Sequence, residues 1–213
     1  MKIAILTTPD QWFSSYAKKL QQSIPEAKLF LHHEELDKGY DIVFILSYHH
    51  IIPKKVLEQN RHNLVIHASA LPYGKGWAPM FWQILEGKDQ IPFTMFEASD
   101  GVDNGNIYMK KVLTLSGYEL NEELRKKQAD FIIEMCLEFL KNYDIYKESR
   151  PQSGEESFYP KRAAKDSELD INKSIKEQFN LLRIANNEEY PAFFDIDGHR
   201  YTLKIAREED ENR

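Results

Sequence analysis

A single cysteine, Cys136, leaves this chain of 213 residues without any intrachain disulfide. Its neighbours Phe131, Ile132, Met135, Leu137, Phe139 and Leu140 recur as a helical apolar stripe, so the thiol reads as a small buried hydrophobe in a reducing compartment. Positive charge is also short. There are 28 Lys and Arg against 34 Asp and Glu, a net charge of −6, which gives no broad basic surface for a phosphate backbone. Nucleic acid is therefore not an expected partner. No run of 18 apolar residues occurs, and the opening KIAIL is shorter than the hydrophobic region of a signal peptide, so no membrane contact is expected and a cytoplasmic location is. The first turn, TTPDQW, lacks a glycine-rich phosphate fingerprint, which removes local support for dinucleotide binding. Two histidine groups, His32, His33 with Glu34 and His49 with His50, lack a third ligand at helical spacing. Adjacent strand residues also face opposite ways, so no metal is expected.

What is present alternates. Lys2–Leu6, Lys28–Leu31, Asp41–Ser47 and Asn63–His67 are short apolar runs of strand character, several without polar alternation, as strands covered on both faces require. Helical spacing falls between them at Trp12–Leu20 and after Pro53, then at Ala78–Gly87. Ile91–Phe96 and Gly105–Leu115 read as two more strands around the acidic turn Asp100–Asn104, and a long helix runs from a cap at Asn121 to about Tyr146. The pattern predicts an α/β fold with a Rossmann-like, mostly parallel sheet over residues 1–146. Residues 147–157, KESRPQSGEES, read as a linker. Residues 158–213 read as a small C-terminal unit with a helix from about Ile171 to Ala185 and a β-hairpin turning at Asp197–His199. Exposed apolar surface on that hairpin is compatible with a homodimer.

Two residues stand where chemistry belongs. His67 ends a parallel strand, and ligands in open α/β sheets lie outside those ends. A strand-end histidine is equally a structural residue, so placement alone leaves both readings open. Asp103 lies in a second loop that can reach the same crevice, although Asp100, Asp103 and Asn104 are by local chemistry turn formers ahead of Gly105.

The run HASALPYGKGWAP, followed by MFWQILEGKDQIPFTMFEASDGVDNGNIY, resembles the signature of the folate-dependent formyltransferases. His67, Ser69, Leu71, Pro72, Gly76, Pro79, Trp82, Gly87, Thr94, Asp103 and Gly105 fall where that signature has such residues. The resemblance implies a formyltransferase-type fold and transfer of a formyl group from 10-formyltetrahydrofolate, with no metal. It makes His67 the donor to the oxygen that becomes negative when an amine attacks the formyl carbon, and Asp103 the stabiliser of an imidazolium and the acceptor of the amine proton. SYHHIIPKKVL resembles the segment that lines the family's folate pocket, implying folate contacts from Ser47, Tyr48, His49, Ile51 and Ile52, with Asp100 and Val102 opposite. One departure stands out. The family carries an asparagine two residues before the histidine, and this chain has Val65 there; Asn63, about 13 Å along the strand, is too far to replace it simply. Asn104, Tyr48 and His49 are candidate substitutes.

The stretches GKGWAPMFWQILEG, FYPKR and NLLRIANNEEYPAFF are similar to sugar N-formyltransferases, whose acceptors are nucleotide-diphosphate 4-amino sugars. The resemblance implies acceptor contacts from Ser69, Lys75 and Trp77 beside the histidine. Lys161, Arg162 and Arg183 are cations that could pair with a diphosphate, and Tyr159, Tyr190 and Phe193 offer rings for stacking. The rival expectations are a hydrolase that passes the formyl group to water, and a binding protein without catalysis, which Val65 permits.

Overall fold

In the computed structural model, which describes residues 1–208, the apolar runs become strands. β1 (Ile3–Leu6), β2 (Lys28–Phe30), β3 (Ile42–Ile45) and β4 (His62–His67) pair in parallel in the order β2-β1-β3-β4. After the short β5 (Lys75–Gly76), β6 (Gln90–Glu97) and β7 (Ile107–Thr114) extend the same sheet antiparallel from β4. Every residue of β1 and β3 is buried, which is why their sequences run apolar without alternation.

The two faces of the sheet are covered unequally. Helices α1 (Ser14–Ser23), α3 (Pro79–Leu85) and α4 (Asn121–Lys141) pack on one face, where Ile3, Ile5, Leu64 and Ile66 meet Ala17, Leu20, Met80, Ile84, Ile132 and Cys136. The other face buries Ala4, Leu6, Val43 and Ile45 under loops and the single turn α2 (Lys54–Leu57). Because side chains alternate along a strand, Asn63, Val65 and His67 all project toward this thinly covered face. Among the described residues no helix is long and apolar enough to cross a membrane.

Past α4 the chain departs from expectation in three places. The long helix breaks at Asn142 and resumes as α5 (Tyr143–Tyr146), and its cap is not Asn121. The carboxylate of Glu123 accepts the Leu120 N–H, while Asn121 donates to the Ile184 carbonyl. The segment read as a linker is hydrogen bonded along its length: Arg150 pairs with Ile107, Gln152 donates to the carbonyls of Asp103 and Gly105, and Ser157 accepts from Gly74. After β8 (Phe158–Tyr159), which pairs in parallel with β5, only α6 (Phe179–Ile184) remains of the helix expected from Ile171. Side chains take the backbone there. Asp170 accepts from the Asn172 N–H, Glu177 from that of Ser174, and Gln178 folds back on Asp170 and Lys173, satisfying groups a helix would otherwise pair.

The hairpin β9 (Ala192–Ile196) and β10 (His199–Leu203) forms as expected around Asp197 and Gly198, both at positive φ, although His199 already belongs to β10. Residues 209–213 of the expected C-terminal unit lie outside the described residues.

Candidate active site

The loop between β4 and α3 joins the histidine to the aspartate through its backbone. His67 Nε2 lies 2.9 Å from the Gly74 carbonyl oxygen, which can only accept, so Nε2 carries a proton. The Gly76 N–H donates to Asp103 Oδ2 at 2.9 Å, and that oxygen lies 3.7 Å from His67 Nε2. Both side chains remain slightly exposed, at 11% and 16%. The sequence supports this geometry at two glycines. A Cβ on Gly76, at φ +96°, would lie 2.5 Å from the Tyr159 carbonyl, and one on Gly105 would overlap that of Glu97. Asp103 itself adopts φ +51°, a left-handed conformation that aspartate tolerates better than most residues.

Lys75, between Gly74 and Gly76, is 1% exposed. Its ammonium bridges Glu156, at 2.6 Å, and the side-chain oxygen of Asn104. It is thus a tie between three segments, and the expectation that it contacts substrate is corrected by its burial. Arg183 is corrected for the same reason. It is buried against Glu119 at 3.4 Å and Asn180 at 2.9 Å. Burial alone would raise the Glu119 carboxyl, but hydrogen bonds from Lys127 and the Ser116 N–H outweigh it and hold it at about 2. Ser69 is fully buried with no partner for its hydroxyl, and Phe193 is buried beneath the Arg200 guanidinium, 3.8 Å above its ring, so neither is offered to a ligand at the surface.

The other expected acceptor residues remain accessible. Trp77 is exposed, with Lys161 5.1 Å from its ring centre and the His49 ring at 5.9 Å. Tyr159 donates to Glu86 and stacks on Trp82, Arg162 lies over Trp82, and Tyr190 is exposed at a distance from these contacts in sequence.

The loops expected to hold folate face each other through Lys54 and Asp100, 4.0 Å apart. Ile51, 93% exposed, and Val102, 59% exposed, are apolar side chains left in the open on these loops. Ser47, at φ +50°, starts the first loop; Ile52 packs against the thin-face core, and the His49 N–H is anchored on Thr8 Oγ1. Tyr48 turns away, its hydroxyl held by the N–H and ring nitrogen of His33. Among the described residues no group of three His, Cys, Asp or Glu is placed to hold a metal.

The departure at Val65 has a packing explanation. Val65 lies against Leu71, Phe96 and Ile107, so the place of the amide is filled by apolar contact. Asn63 cannot stand in, because its amide donates to Leu57 and Glu97. Sequence reasoning missed the Gly74 carbonyl, the Gly76 N–H, Gln152 and Glu156. Backbone groups leave no residue-type signal, and the last two sit in a stretch of turn-forming composition.

The formyl transferase family pattern matches residues 3–140. The chain belongs to this family. It is 30% identical over 148 residues to methionyl-tRNA formyltransferase of Thermodesulfovibrio yellowstonii, covering 67% of this chain and 47% of that protein. The chain spans about half the length of the curated relatives it matches. Solved structures show the same fold: methionyl-tRNA formyltransferase from Clostridium thermocellum at TM-score 0.80 and 20% identity, covering 100% of this chain and 96% of that one. A 4-N formyltransferase from Francisella tularensis follows at TM-score 0.73 and 18% identity, covering 98% of each chain. For a formyl transferase, the pairing of His67 with Asp103 is the feature that needs a chemical account.

Proposed function

We propose that this formyl transferase moves a formyl group from 10-formyltetrahydrofolate to the amine of a nucleotide-diphosphate-linked amino sugar, and the observation that carries the reading is the His67–Asp103 approach at 3.7 Å. Attack forms a bond between the amine nitrogen and the formyl carbon and places negative charge on the formyl oxygen. With Nε2–H held by Gly74, an imidazolium at His67 offers a second donor, Nδ1–H, to that oxygen. Asp103 stabilises the imidazolium and accepts the proton released by the amine. That proton replaces the formyl group on the folate nitrogen when the old bond breaks, so charge balances over the cycle. The remaining requirement is orientation, which the backbone contacts at Gly74 and Gly76 supply.

Asn104 takes the part of the missing asparagine in this reading. A lysine ammonium only donates, so Lys75 fixes the Asn104 oxygen and leaves its Nδ2 free to donate. The folate loops fit a cosubstrate with a flat ring through exposed Ile51 and Val102. Net charge supports a small acceptor, since −6 gives no surface for tRNA, although the curated relatives carry tRNA-directed names.

The test is a panel. The protein is incubated with 10-formyltetrahydrofolate and, separately, uridine- and thymidine-diphosphate amino sugars, initiator methionyl-tRNA, or no acceptor, and products are read by mass spectrometry and formate assay. One formyl addition to an amino sugar supports the reading. Formyl-methionyl-tRNA as the only product, or formate at the same rate without acceptor, overturns it.

A further inference from the structure

All three tryptophans of the chain carry a cation on or near the ring. The Arg125 guanidinium lies 4.6 Å from Trp12 and 4.4 Å from Phe81, Lys161 lies 5.1 Å from Trp77, and Arg162 lies 6.0 Å from Trp82. These units are sewn together. The Trp77 N–H donates to Tyr159 and the Trp82 indole N–H to Pro160, so the segment bearing Lys161 and Arg162 is fixed against the loop that leaves Gly76.

Elsewhere the fold pairs the cations it buries, Lys75 with Glu156 and Arg183 with Glu119. Arg125, Lys161 and Arg162 make no ion pair within 4 Å among the described residues. Among the described residues Arg125 donates only to Gln128, at 3.3 Å, while Arg162 donates to the Asp166 carbonyl and its buried Nε has no partner. Leaving buried guanidinium donors without a carboxylate costs stability, which an arriving anion recovers. We propose that Arg125, Lys161 and Arg162 form one anion cradle, beginning one residue from the backbone N–H that holds Asp103, and that its ligand is the diphosphate of the acceptor. The inference rests on the acceptor class argued above.

The electrostatics agree. Burial pushes the Arg125 guanidinium down to about 10 against the opposing pull of Glu189, and Arg162 adds its own repulsion. His49 is lowered first by burial and then by the charges of His50, Lys161 and Arg125, so these charges share one neighbourhood. Two guanidinium forks and an ammonium suit the several oxygens of a diphosphate, and the rings hold the cations without neutralising them. A polynucleotide needs a basic field that extends beyond three residues, which a chain of net charge −6 does not provide.

The test uses the whole chain and calorimetry with inorganic pyrophosphate, uridine diphosphate and a structured tRNA at two salt concentrations. Wild type is expected to bind pyrophosphate and uridine diphosphate more weakly at higher salt. Lys161→Gln and Arg162→Gln are each expected to raise Kd on the order of ten-fold, the loss of a charge-assisted hydrogen bond. Arg125→Lys, which keeps charge but loses the fork, is expected to weaken binding while holding the melting temperature. Arg200→Gln is the control, since Arg200 also covers a ring but is ion-paired with Asp195. Unchanged Kd in folded Lys161→Gln and Arg162→Gln, no pyrophosphate binding by wild type, or tRNA displacing pyrophosphate at equal salt each overturns the cradle. Formyl transfer distinguishes the two levels. An amino sugar formylated with unchanged KM by both Gln variants sinks the cradle alone, whereas pyrophosphate binding lost in the variants with no formylated amino sugar in any reaction sinks the acceptor reading.

Discussion

Strand β4 begins and ends on a histidine, and the two are treated in opposite ways. At the start, His62 has both ring nitrogens hydrogen bonded to tyrosine hydroxyls, Tyr108 at 3.0 Å and Tyr143 at 2.9 Å. Tyr108 in turn donates to Glu97, whose other oxygen accepts from the Asn63 backbone. Burial lowers its tendency to protonate. At the end, His67 has one nitrogen on a carbonyl and a carboxylate 3.7 Å away. A saturated neutral ring can only hold structure. A ring with spare bonding capacity beside a fixed carboxylate can change protonation state during a reaction, and this contrast separates the two roles more clearly than burial does.

The largest effect that tests this contrast is at His67. His67→Ala is expected to lower kcat/KM for the best acceptor by about 10²- to 10⁴-fold with little change in urea stability. His62→Gln should do the reverse, costing about 1 kcal/mol or more of stability through the tyrosine hydroxyls it leaves short, with turnover of the folded protein retained. Steady-state kinetics beside urea melts decides it, and equal loss of turnover in both variants erases the distinction. Next in size is Asp103→Asn, which keeps an acceptor for the Gly76 N–H but removes the charge facing His67. Turnover should fall by about 10²-fold with the melting temperature preserved. A variant that melts early instead would make Asp103 a loop-holding residue.

The contrast between the histidines was only half legible in the sequence. Parallel strands were readable because β1 and β3 bury both faces and their apolar runs do not alternate. The hairpin was readable because an Asp-Gly step accepts positive φ at two successive residues. His67 and Asp103 were picked out as a pair only through the resemblance of the loop and helix between them to the formyltransferase signature, because placement and local chemistry left each with a structural reading. Lys75 and Arg183 were read as ligand cations because a charge in sequence carries no sign of whether a carboxylate comes within reach when the chain folds, as exposed Glu156 and buried Glu119 do. The helix expected from Ile171 failed because Asp170, Ser174 and Gln178 compete for the backbone locally, an effect periodicity does not register. His62 drew no attention, since its partners Tyr108 and Tyr143 lie 46 and 81 residues away.

Smaller effects probe the structural end alone. Burial raises the Glu97 carboxyl, with the hydrogen bonds from Tyr108 and Asn63 pulling partly back. A raised acid contributes stability that is whole below its unfolded value, about 4.3, and is lost as pH rises through the folded one. Glu97→Gln cannot ionise, so its stability relative to wild type should improve as pH climbs from about 4 to about 8, measured by urea melts at each pH. A difference that stays flat shows that Glu97 is not buried as a raised acid.

His62 has the opposite sign. Its folded tendency to bind a proton is depressed by burial first and by Arg61 second, so the folded chain holds fewer protons than the unfolded one just below about 6.5. Stability is whole above that pH and is lost as pH falls through the depressed value, and His62→Gln should remove this loss. The decisive quantity is the coupling between Glu97 and His62. Both bond to the Tyr108 hydroxyl, so Glu97→Gln and His62→Gln combined should deviate from additivity by about 0.5 kcal/mol or more. Glu97→Gln with His67→Ala shares no such partner and should add within about 0.3 to 0.5 kcal/mol. Additivity in the first pair would mean that His62 is held by Tyr143 alone, and coupling in the second would mean that the two ends of β4 are not separate, with the Glu97 backbone packed on Gly105 as the link to the Asp103 loop.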